Sequence, residues 1–94
     1  MTKEYFVISS LSMDLKRVAL GFYRGSDSTA KRFREEALKR AYEIDKVKVK
    51  PYLRDFLNKL PGILNHKDGE RVAEDALMYS TIFQNYAIRN LPSN

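Results

Sequence analysis

Apolar residues recur at every third or fourth position in four stretches of this chain, a spacing that places them on one face of an α-helix. In the first stretch that face consists of Ile8, Leu11, Leu15, Val18 and Phe22. Turn-forming residues separate the stretches at Gly25–Ser28, before Pro51, and between Pro61 and Gly69. The pattern predicts helices over about residues 4–24, 28–46, 51–61 and 69–91.

Four amphipathic helices with short connections predict an all-α fold, a compact four-helix bundle. A chain of 94 residues has the size of one domain, so we expect residues 1–94 to fold as a unit. Small residues on the second and fourth stripes predict that these two helices approach each other closely. These residues are Ala37, Ala41, Ala73 and Ala76.

A second set of apolar residues lies off the main stripes. It comprises Phe6, Met13 and Leu20 in the first helix, Leu38 and Tyr42 in the second, and Met78 and Ile82 in the fourth. One interpretation is that the first helix is central and packs on two sides within a single copy. The interpretation we favour is that these residues form a protein interface, most simply in a homodimer, the commonest soluble assembly.

Basic residues exceed acidic ones by 17 to 12, and the excess lies within residues 31–59. Pairs of opposite charge four residues apart, such as Lys31–Glu35, predict an ordinary solvated face on the second helix. The cations that follow it lack such partners and lie beside a tyrosine. Binding of nucleic acid or another polyanion is therefore an alternative function, through Lys46, Lys48, Lys50, Tyr52 and Arg54.

Candidate chemistry is sparse. The chain has no cysteine and a single histidine, His66, in a turn, and it contains no Glu-x-x-His motif of the kind that di-metal bundles use. We therefore expect no catalytic residue, metal site or cofactor. No apolar run approaches the roughly 18 residues of a membrane span, and the first residues lack a signal-peptide layout, which predicts a cytoplasmic protein.

Residues 85–90, Asn-Tyr-Ala-Ile-Arg-Asn, resemble the start of the Arg-Asn…His motif of HEPN-type helical bundles, some of which are ribonucleases. The histidine of that motif does not follow in residues 91–94, so we assign no catalytic role to Arg89 or Asn90. A small HEPN-like nuclease is thus the third hypothesis. The first is a non-catalytic regulatory or adaptor protein that acts through protein–protein interaction, and the second is polyanion binding.

Overall fold

The computed structural model describes residues 3–90, and α-helices form most of that range. The helices are α1 (Lys3–Tyr23), α2 (Asp27–Glu43), α3 (Pro51–Leu64) and α4 (Gly69–Asn90), with a short 3-10 turn at Lys46–Lys48. Residues 3–90 contain no strand, and the predicted all-α four-helix bundle is confirmed. None of the helices in this range is long and apolar enough to cross a membrane.

Two predicted helix ends are wrong. The second helix stops at Glu43, not at residue 46, because the Asp45 carboxylate accepts the Val47 N–H at 3.0 Å and begins the separate 3-10 turn. The third helix does not end at Pro61 but continues to Leu64. Pro61 removes one backbone donor, and burial of the flanking leucines in the core outweighs that loss. Position 91, the predicted end of the fourth helix, lies outside the described residues.

Helix α1 is the central element of the bundle. It packs along its length against α2 on one side and α4 on the other, while α3 contacts α4 and, to a smaller extent, α2. The core combines the inner faces of all four helices, among them Ile8 and Leu15 of α1 and Leu53 and Leu60 of α3. The predicted close approach of α2 and α4 is wrong, because α1 separates them.

Small residues set the distances from α1 to its two neighbours. A Cβ atom added to Gly21 would lie 2.8 Å from the backbone nitrogen of Ala30 in α2. On the α4 side, the hydroxyl of Ser12 donates to the carbonyl of Ser80 at 2.8 Å, and the hydroxyl of Ser80 donates to the carbonyl of Ser12 at 2.9 Å. Both serines are buried, so these reciprocal bonds fix the register of the two antiparallel helices.

Substitution of Gly21 by alanine tests the contact between α1 and α2. The new methyl group has no space beside the Ala30 backbone, so we expect Gly21→Ala to lower the free energy of unfolding by about 1–3 kcal/mol. Gly62→Ala is the matched control, since nothing lies within 4 Å of the added atom and alanine favours helix by about 0.5–1 kcal/mol. Urea denaturation measures both. If both substitutions changed the free energy of unfolding by the same amount and in the same direction, the assigned contact of Gly21 with Ala30 would be contradicted.

Candidate interaction surfaces

The outer side of α1 carries a row of large apolar side chains. Phe6, Met13 and Leu20 are 53%, 49% and 38% exposed, although they belong to the central helix of the bundle. Because seven residues make nearly two full turns, these three side chains lie along one line of the helix. We call them the α1 line. No other helix within residues 3–90 covers it.

Two residues of α4 extend this apolar surface, and sequence analysis missed both. Leu77 is 41% exposed and Ile88 is 64% exposed. Ser80 marks the side of α4 that faces α1. Around the axis of α4, Leu77 and Ile88 are rotated by about 60–80° from Ser80, in the direction away from Phe83 and the core. This rotation places them on the same outer side of the bundle as the α1 line. Their spacing of eleven residues, three helical turns, was the signal available in the sequence.

The structure does not bring the predicted interface residues together. Met78 is 52% exposed and Ile82 is partly buried against the core, and both are rotated about 160–200° from Ser80, on the side of α4 away from the α1 line. Leu38 is also partly buried, and with the exposed Tyr42 it lines a groove between α2 and α3. The predicted residues therefore occupy three separate parts of the surface.

Charged groups border the α1 line on its α2 side. The carboxylate of Asp14 is buried and accepts a hydrogen bond from Nε of Arg40 at 3.1 Å, and a nitrogen of Arg17 lies 3.8 Å from it. Burial raises the pKa of Asp14 above its ordinary value, while Arg40 and Arg17 limit the rise. The guanidinium groups of Arg17 and Arg32 also stack on the ring of Phe33, at 5.3 and 5.4 Å.

Among the described residues, none of the ion pairs predicted four residues apart along α2 is formed. Within residues 3–90, the single ion pair formed inside this helix joins Lys39 to Glu36 at 3.9 Å. Tertiary contacts account for two of the missing partners, since Arg40 binds Asp14 and Arg32 stacks on Phe33. The predicted i,i+4 pairs are therefore not formed, and several cations of α2 have no carboxylate within 4.0 Å among the described residues.

The candidate residues for nucleic-acid contact do not form one flat surface. Lys46 donates to Asn58 of α3 at 2.9 Å, whereas Lys48 lies 3.4 Å from the carboxylate of Glu4 on α1. A backbone hydrogen bond, with a contribution from Lys48, lowers the pKa of Glu4.

The rest of that segment packs on α4. The ring of Tyr52 contacts Tyr86 edge-on, with 5.8 Å between centroids, and the hydroxyl of Tyr86 accepts the backbone N–H of Lys50 at 3.0 Å. Arg54 is partly buried on α3. Binding of nucleic acid through this segment stays a prediction.

The turn before α4 has a structural role. The Nδ1 atom of His66 accepts the backbone N–H of Asp68 at 3.1 Å, and the Asp68 carboxylate accepts the N–H of Glu70 at 3.0 Å. These bonds satisfy backbone donors at the start of the helix. No group of three or more histidine or acidic residues within residues 3–90 is placed to hold a metal ion. At the other end of α4, the side chain of Asn90 donates to the carbonyl of Tyr86 at 3.2 Å.

Comparison with known proteins identifies no family for this chain. No family model matches the sequence, and no curated protein or solved structure is significantly similar to it. Two features of the described residues are candidate interaction surfaces. These are the apolar surface around the α1 line and the groove between α2 and α3.

Removal of Arg40 tests the buried ion pair at the edge of this surface. Arg40→Met leaves the Asp14 carboxylate short of a partner, and we expect a loss of about 1–3 kcal/mol in unfolding free energy at neutral pH. Burial raises the pKa of Asp14 in the folded protein above its value in the unfolded chain. Above the raised pKa the buried carboxyl group is ionised, and its charge lowers the free energy of unfolding. The loss in the variant therefore shrinks as the pH falls through the raised pKa and the carboxyl group becomes neutral.

Urea denaturation at neutral and acidic pH measures this effect. Lys39→Met is the control, because it breaks an exposed pair on the same helix, which typically contributes less than about 1 kcal/mol. Addition of Asp14→Asn to Arg40→Met removes the buried charge, and we expect it to recover much of the lost stability. A loss that is independent of pH would contradict this account of Asp14.

Proposed function

We propose that this protein is a non-catalytic adaptor or regulatory protein that acts through protein–protein interaction and forms a homodimer. The observation that carries the proposal is the α1 line. A helix in the middle of a bundle presents three large apolar side chains to solvent, and Leu77 and Ile88 widen the row into a surface. Exposed apolar surfaces of this kind are typical of interaction sites.

The spacing of the α1 line suits a twofold-symmetric contact. Met13 lies midway between Phe6 and Leu20, about 10 Å along the helix from each. Two copies of α1 that cross antiparallel at Met13 place Phe6 of one copy against Leu20 of the other, and each contact occurs twice. Leu77 and Ile88 of α4 lie at the edges of such an interface.

The burial energies are consistent with a weak dimer at most. Complete burial of a large apolar side chain gains about 1.5–3 kcal/mol, and these side chains are already roughly half-buried in one copy. Two copies together then gain on the order of 10 kcal/mol, against an association cost of about 4–15 kcal/mol. The net gain is then at most about 6 kcal/mol, so we expect self-association to depend on concentration, with a Kd no tighter than about 40 μM.

Charge placed on the α1 line tests the dimer. We expect the wild-type chain to sediment as a dimer at high concentration and Met13→Glu with Leu20→Glu to yield a folded monomer, because carboxylates at the contact lose hydration without gaining a partner. Met78→Glu is the matched control, since Met78 is as exposed as Met13 but lies away from the α1 line. Sedimentation and circular dichroism are the measurements. A wild-type chain that stays monomeric at millimolar concentration would refute the proposed dimer.

Cysteine cross-linking tests the position of the twofold axis. The chain contains no cysteine, so single substitutions report unambiguously. We expect Met13→Cys to form a disulfide-linked dimer under mild oxidation, because the two copies of this residue meet at the axis. We expect two other single variants to cross-link far more slowly. In Leu20→Cys the new thiol faces Phe6 of the other copy, and in Met78→Cys it lies away from the contact. Equal rates for the three variants would exclude this arrangement of α1.

A further inference from the structure

An open groove of about 470 Å³ runs between α2 and α3. Its inner surface is apolar, with Ile44 and Leu57 nearly buried and Leu38 partly buried. Two large side chains at the groove remain almost fully in solvent, Tyr42 at 87% exposed and Val47 at 85%. A ligand seated in the groove would contact both. The volume lies within the range of specific binding sites, which hold about 300–1,000 Å³.

The other end of the same side of α2 is cationic. Arg34 lies one helical turn before Leu38, and Lys31 lies about two turns before it. There α2 meets the turn between α3 and α4 in a second recess. The charged and polar residues around this recess include Lys31, Arg34, His66, Lys67 and Asp27. The surface between α2 and α3 is thus apolar at one end and basic at the other.

The cations at the basic end are available to a ligand. Among the described residues, Lys31, Arg34 and Lys67 have no carboxylate within 4.0 Å. At the apolar end, by contrast, the charged groups are already engaged within the chain. Lys46 binds the side chain of Asn58, and the carboxylate of Asp45 accepts the N–H of Val47. A partner with negative charge at one end of an apolar surface therefore complements the groove.

We propose that this groove binds an amphipathic α-helix of a partner protein, with apolar side chains on one face and Glu or Asp residues towards Lys31. From Lys31 to Tyr42, α2 extends about 16 Å, the length of three turns of a docked helix. The groove is open along its side, which suits a helix lying in it. Exposed tyrosines such as Tyr42 are frequent anchors in interfaces of this kind.

This inference goes beyond the proposed dimer and does not depend on it. Leu38 and Tyr42 lie on the side of α2 that faces α3, whereas the α1 line lies on the outer side of α1. A monomeric Met13→Glu, Leu20→Glu variant is therefore expected to bind the partner helix as the wild type does. The two proposals can fail separately.

A titration with a synthetic peptide tests the groove. The probe is a fluorescein-labelled helix of about 16 residues, with Leu at every third or fourth position and Glu concentrated in one half. A scrambled peptide of the same composition and a peptide with Lys in place of Glu are the controls. Fluorescence anisotropy on the complete chain at low and physiological salt gives the affinities. We expect the acidic helix to bind, more tightly at low salt, and both control peptides to bind at least about tenfold more weakly.

Variants of the chain locate the site. We expect Tyr42→Ala to weaken binding of the acidic peptide about 5- to 10-fold. The double variant Lys31→Glu with Arg34→Glu is expected to weaken binding about tenfold and to reduce the salt dependence of the affinity. Tyr23→Ala and Lys39→Glu are matched controls, exposed residues of the same types outside the groove, and should change the affinity less than about twofold. Circular dichroism confirms that each variant is folded.

Three results would overturn the proposal. The first is no binding of the acidic peptide up to about 1 mM, and the second is equal binding of the scrambled peptide. The third is stronger binding to vesicles of phosphatidylglycerol or to a single-stranded oligonucleotide that depends on the same groove residues. In that case the occupant is a lipid surface or a nucleic acid, not a protein helix.

Discussion

The close contact of α1 with both of its neighbours is the constraint on which the rest of the fold depends. Gly21 leaves no space for a side chain against Ala30, and Ser12 and Ser80 bond each other's backbone carbonyls. Such contacts need small residues, because a larger side chain at any of these positions would separate the helices. With α2 and α4 held on its two sides and the core beneath it, α1 has one side left, and that side carries the α1 line.

The same central helix determines how charge is distributed over α2. Asp14 is buried where α1 meets α2, and a buried carboxylate is stable only with a partner, which Arg40 provides. Phe33 attracts Arg32 and Arg17 through its ring. These tertiary contacts replace local pairs along α2. Lys31 and Arg34, in the recess beside the turn between α3 and α4, have no carboxylate within 4.0 Å among the described residues.

The groove lies beside α3, a helix that continues past its predicted end at Pro61. Pro61 and Gly62 disfavour a helix locally, yet α3 extends past them because Leu60 and Leu64 bury completely. Pro61 itself lines the groove, together with Leu57 and Asn58 of the same helix. Since α2 and α3 touch over a small area, the space between them remains open to solvent. Burial of leucine thus overrides the local preference of proline and glycine.

The sequence by itself determined the four helices, their apolar stripes and the α1 line, because the period of the helix fixes which residues share a side. It did not determine which side of each helix meets a neighbour. Met78 and Ile82 lie as far from the main stripe of α4 as Leu77 and Ile88 do, and only the packing against α1 places the latter pair on the outer side that carries the α1 line. The partner of Arg40 was likewise decided by tertiary structure, since a buried carboxylate on another helix outweighs an exposed one nearby in the chain.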